Sequence, residues 1–223
     1  FTIDLYSAVA DVYKRQKSFS RRLGYLHDCE AAQQVVQGWL SPGGMLSDIT
    51  QLDSLGITMF QNVAPVNPSA VLDAIENAVT SSNGHNFLSV SNYQRSTWIT
   101  LLGSIAYEPG LFCRACLLIA RFMMAELNGY NNRSTHNEAF TSLFHIHLSG
   151  THASIGQRLE VVKVLIESGD PSGQACGFAA LDALLESQSF FGSNFEFGAR
   201  PRNYGWYPTT RHDEVEWYRA SVN

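Results

Sequence analysis

"SLFHIHLSGTHASIGQRLEVV", Ser142 to Val162, places His145, His147 and His152 around a Ser149-Gly150-Thr151 turn. Three of the chain's seven histidines fall in this short run, so it reads either as a metal-bearing strand or as the corner between two helices. "FHIHL" alternates as a strand would, and in a strand His145 and His147 would share a face. In a helix, residues two apart point to opposite sides. The longer match is helical: Phe140, Leu143, Phe144 and His147 keep that spacing. The expected reading is a helix over 138–148, a left-handed cap at Gly150, and a second helix over 155–168. Ser154 and Gln157 form a capping box for the second helix, and Leu159, Val162 and Ile166 face its core.

Outward from this corner, helical signals recur in pairs. Ser91 and Gln94 read as a capping box before "STWITLLGSIAY", with Trp98, Leu101, Leu102 and Ile105 on its apolar face. Pro109 opens "GLFCRACLLIARFMMAEL", where Leu111, Ala115, Leu118, Phe122 and Met123 repeat at helical spacing. Asp170 and Pro171 start "SGQACGFAALDALLES" after Gly169. Upstream, Asp28 is placed to cap "CEAAQQVVQGWL", with Ala32, Val35, Val36 and Leu40 near helical spacing. "MLSDITQLDSL" reads as a short helix ended by Gly56. "ITMFQNVAPV" (57–66) is β-branched and aromatic and reads as a strand or wing. Asn67 and Pro68 begin another helix. "TSSNGHN" (80–86) is a polar linker.

The fold class expected is therefore mainly α. A small winged-helix-like domain (22–80) precedes antiparallel helical pairs (87–190), forming a HEAT-like solenoid or a helical bundle. A Gly/Arg/aromatic loop and C-terminal segment follow (191–223). Residues 1–21 form a leading segment. The chain opens without Met, and "SAVADVYKRQ" (7–16) reads as translated adapter sequence, so residues 1–16 are expected to carry no biological information and the chain to be a piece of a longer protein.

Composition limits the function. In 223 residues, 45% are hydrophobic and 16% charged, as in an ordinary globular protein, and the net charge of −5 argues against nucleic acid as the main partner. The four cysteines do not form a disulfide framework at this length and read as reduced thiols. No apolar run is long enough to span a membrane. Asn132-Arg133-Ser134 matches a glycosylation sequon, with nothing else pointing to secretion, and a cytoplasmic protein is expected.

Chemical candidates are few. His145, His147 and His152 could hold a zinc ion if they converged, with Cys113 and Cys116 as further ligands. The nearest named histidine pattern, HxHxDH, lacks its Asp here. Cys113-x-x-Cys116 lies within a helix, where cysteine packs as a small hydrophobe. No P-loop, G-x-G-x-x-G or G-x-S-x-G run is present. "FEFGARPRNYGWYP" (195–208) combines Arg200 and Arg202 with Phe195, Phe197, Tyr204, Trp206 and Tyr207. Arg200, Arg202, Tyr204 and Trp206 are the candidate contact surface. The competing reading is a lid over the helical array, its arginines paired to Glu186, Glu196 or Asp213.

"SIAYEPGLFCRACLLIARFM", the histidine stretch and "FEFGARPRNYGWYP" resemble segments that follow the NTPase core of large bacterial STAND proteins (signal-transduction ATPases with numerous domains). "GWLSPGGMLSDITQLDSLGITMFQNVAPVNPSAVLDAIENAV" is similar in order to their winged-helix portion. The resemblance runs from about Gly24 to the end and carries over no catalytic residue. It implies a regulatory and sensor portion without enzymatic activity of its own. Its partners would be an upstream NTPase domain and a protein or ligand trigger, with oligomerisation of the parent. ATP and Mg would be bound only by the upstream domain. Two alternatives remain: a metal-dependent hydrolase on the histidine cluster, and a winged-helix DNA-binding regulator. "MLSDITQLDSL" weakens the second, since it carries Asp48 and Asp53 and no basic residue.

Overall fold

The computed structural model describes residues 2–127, 136–188, 190 and 196–222, with side chains from residue 12 onward. The sequon at Asn132 and the aromatic Phe195 lie outside the described residues. The described chain is mainly helical, with eleven α-helices and no strand among the described residues. None of these helices is long and apolar enough to cross a membrane. The chain forms two compact units: 1–84 with 196–201, and 85–195 with 202–223.

The first unit contains α1 (Thr2–Leu23), α2 (Glu30–Leu40), α3 (Ser54–Val63) and α4 (Pro68–Thr80). Helix α2 buries Ala32, Val36 and Leu40, whereas Val35 is exposed. Its N-cap is Cys29, which makes no side-chain cap bond, and not Asp28, whose carboxylate lies 3.2 Å from His27.

The expected strand over 57–66 is instead most of α3. Ile57, Phe60 and Val63 are buried at three-residue spacing, the period of a helix face rather than a pleat. The wing of a winged helix is accordingly not formed at this segment. The helix expected over "MLSDITQLDSL" is also replaced, by turns. Asp48 accepts from the Thr50 amide and hydroxyl, a local bond that competes with helix. Asp53 then caps α3, accepting from the Gly56 amide at 2.7 Å. Gly56 therefore lies in the first turn of a helix, not past the end of one. Asn67 caps α4 with Pro68 in its first turn, as expected.

The second unit contains α5 (from Gly84–Leu88), α6 (Arg95–Ile105), α7 (Pro109–Leu127), α8 (Asn137–Thr141), a 3-10 turn (Ser142–Phe144), α9 (Ile155–Ile166), α10 (Pro171–Leu185) and α11 (Arg211–Val222). Successive helices joined by short connections pack as hairpins, α6 on α7 and α9 on α10, and α7 packs on both α9 and α10. The core gathers Trp98 and Leu102, Phe112, Ile119 and Phe122, Phe140 and Phe144, and Leu184 and Trp217. The capping box expected at Ser91 is absent. Ser91 bonds Ser89, and Gln94 is itself the N-cap of α6 without a side-chain cap bond.

The opening stretch differs from expectation in where its first helix ends, in the place of Gly150 and in the row that α9 buries. Helix stops at Phe144, and His145 is already extended (φ −63°, ψ 146°). Gly150 does take a left-handed φ of 66°, but in a loop rather than as a helix cap. The Ser154–Gln157 capping box is present in full. The buried row of α9 is Arg158, Val161, Val162 and Leu165, not the row through Leu159 and Ile166.

Candidate functional site

Arg158 explains the histidine stretch. Its side chain is fully buried. Nε donates to the Ala153 carbonyl, Nη1 to those of Leu143 and His145, and Nη2 to Ser149 Oγ. The guanidinium also lies 4.9 Å from the centre of the Trp217 ring, a cation–π contact. Burial pulls its pKa down to about 9, which leaves it charged at neutral pH. A helical residue thus gathers the carbonyls of the irregular segment 143–153 and supplies the donors that a helix would have supplied.

The three histidines go to different partners. His145 Nε2 meets Glu186 at 3.2 Å, while its Nδ1 is buried without a hydrogen bond. Burial lowers the His145 pKa, opposed by the Glu186 charge. His145 and His147 both place their rings against Phe190, at 5.4 and 5.2 Å. They therefore share a face, because the segment is not helical. His152 lies apart, its Nε2 within 2.9 Å of Asn203 Oδ1 and 3.1 Å of the Tyr107 hydroxyl. Among the described residues no group of three His, Cys, Asp or Glu side chains is arranged to hold a metal ion.

The cysteines do not join them. Cys113 lies 3.5 Å from the Gln157 carbonyl and 3.7 Å from a Glu160 oxygen. Burial raises its pKa, and the Glu160 charge adds to the rise. Cys116 is fully buried, and burial holds its thiol well above the usual range. Both effects disfavour the thiolate that metal binding or attack requires.

The Arg/aromatic loop is divided. Arg200 belongs to the first unit, where its Nε donates to the Pro65 carbonyl at 2.6 Å. In the second unit, Arg202 donates to the Ser104 carbonyl and stacks 4.1 Å from the Tyr107 ring centre. Trp206 stacks on Trp217 at 5.3 Å with planes 12° apart, and its amide donates to the Thr151 carbonyl. The Gly150 amide donates to the Tyr204 carbonyl. Gly205 lies between these bonds at φ +87°, with Thr151 backbone where a Cβ would sit. The Tyr204 and Tyr207 side chains are exposed. Glu186, considered above as a partner for the arginines, holds His145, and Asp213 caps α11 through Thr209 and Thr210.

Two further arrangements carry no sequence motif. One is a cleft of about 470 Å³ between α8 and the end of α10, lined by Asn137, Thr141, His145, Asp182 and Glu186. The other joins the N-terminus of α6, the C-terminal end of α7 and the residue before α8. Ser96 Oγ lies 2.9 Å from His136 Nε2, and His136 Nδ1 lies 3.5 Å from Glu126 Oε2. Buried Arg95 meets the same Glu126 oxygen at 3.5 Å and also donates to the Phe122 carbonyl. Burial lowers the Arg95 pKa, opposed by the Glu126 charge. No motif signals this cluster, because its members are 40 positions apart from Ser96 to His136 and lie on separate elements.

No family model, curated protein or solved structure matches this chain.

Proposed function

We propose that this chain is a regulatory and sensor portion of a larger STAND-like NTPase in the cytoplasm, contacting a protein or ligand trigger through the loop 202–207. The first unit would stand where such proteins carry a winged helix, adjacent to a nucleotide domain that binds ATP and Mg. The hairpins α6–α7 and α9–α10 would be HEAT-like pairs. One observation supports this reading most: Arg202 and Trp206 are pinned inward while Tyr204 and Tyr207 remain exposed on the same loop. Rigid aromatic side chains on a preorganised loop bind with little ordering cost. Arg202 and Trp206 then hold the loop, and the two tyrosines make the contact. Arg200, part of the first unit, is assigned no contact role.

A trigger acts by binding one state of the parent better than the other. Tyr204→Ser with Tyr207→Ser in the full-length parent should abolish trigger-dependent ATPase activation and leave the melting temperature unchanged. Normal activation in that variant refutes the contact, and a full reading frame without a P-loop domain upstream refutes the class.

A further inference from the structure

We propose that Ser96 is a nucleophilic serine activated by His136, and that the second unit cleaves carboxylic esters at this site. The order of contacts is that of a serine–histidine–acid relay: hydroxyl to Nε2 at 2.9 Å, Nδ1 to a carboxylate at 3.5 Å. Such relays are recognised by geometry rather than by position in the chain. Three further features fit. Ser96 is exposed, so a substrate can reach it, whereas Glu126 is buried and keeps its position. Arg95 holds Glu126 from the other side. Ser96 is also in the first turn of α6, where neither its amide nor that of Thr97 meets an acceptor among the described residues. Those two N–H groups, at the positive end of a helix, can receive the oxyanion of a tetrahedral intermediate.

In the reaction, His136 Nε2 takes the hydroxyl proton as Ser96 Oγ bonds to the ester carbonyl carbon. The carbonyl electron pair moves to oxygen and returns as the C–O bond to the alcohol breaks. The alcohol leaves with the proton from His136. Water repeats the sequence on the acyl-serine: its proton goes to Nε2, the Ser96–acyl bond breaks, and Ser96 recovers the proton as the acid departs. Glu126 is a positioning residue: its carboxylate, 3.5 Å from Nδ1, favours the imidazolium that forms as Nε2 takes the proton. Esters are favoured over amides, because an alcohol departs with less assistance than an amine and Ser96 lies exposed.

The test is labelling of the full chain with a fluorophosphonate probe and mapping of the adduct by mass spectrometry. The adduct is expected on Ser96, absent in Ser96→Ala and formed at least about 10²-fold more slowly in His136→Gln. Wild-type chain unfolded by heat before the probe is added should not form it, which keeps the test independent of how well the His136 variant folds. No adduct on Ser96, an undiminished rate in folded His136→Gln, or an adduct that forms equally when the chain is unfolded before the probe is added would each overturn the assignment. For Glu126, p-nitrophenyl acetate hydrolysis in Glu126→Gln should show a lowered kcat at unchanged KM. An unchanged kcat would remove it from the site.

Discussion

Among the described residues the second unit buries two arginines and uses them in opposite ways. Arg158 has carbonyls, a serine hydroxyl and the face of Trp217 around it. Four of its five N–H donors close the corner between Phe144 and Ile155. Arg95 instead meets a carboxylate, Glu126, which has acceptor capacity left for His136. The imidazole in turn reaches an exposed serine. A guanidinium satisfied by backbone fixes a fold, whereas one that fixes an acid can support chemistry further along the chain of contacts. Ser149 and Ser96 embody the contrast: the first is buried against Arg158, the second exposed beside His136.

Removing the pin should have the largest effect on stability. Arg158→Met leaves the buried carbonyls of Leu143 and Ala153 without this donor, and is expected to cost about 3 kcal/mol or more in urea denaturation. A loss near zero would mean that the corner closes without it. Gly205→Ala puts a Cβ at φ +87° against Thr151 backbone and should cost about 2 kcal/mol by the same measurement. Ser154→Ala, which removes one half of the capping box of α9, should cost about 1 kcal/mol.

The smallest effect is on pH dependence. His145 has a folded pKa below its unfolded value, with burial the main cause. The unfolded chain therefore binds the proton more readily. The contribution is present above the ordinary histidine pKa and is lost as pH falls through the folded value. The melting temperature should drop between neutral pH and pH 5 less steeply in His145→Gln than in wild type. An identical slope would show that His145 is not buried as described.

Much of the helical fold was legible where local chemistry is decisive. Asn67-Pro68, Asp170-Pro171 and Ser154-Gln157 start helices because their side chains satisfy the first free amides. The first unit misled where two signals compete. β-branched Ile57 and Val63 suggested a strand, yet burial at 57, 60 and 63 follows the helix period, so tertiary packing overrode propensity. Gly56 reads as a helix end for a related reason, since a glycine in a first turn and a glycine past a last turn look alike without knowing which side is helical. The sites were less legible. His145 and His147 do share a face, but around Phe190 rather than a metal. No sequence signal marks Arg158 as core, and only its surroundings reveal it. Ser96, Glu126 and His136 acquire meaning only when α6, α7 and α8 are assembled.

One digest tests the contrast most directly: the folded chain is treated with the fluorophosphonate probe, and Ser96 and Ser149 are quantified in the same spectrum. Modification of Ser96 and none of Ser149 is expected. Equal modification of the two serines, or none at Ser96, would contradict it.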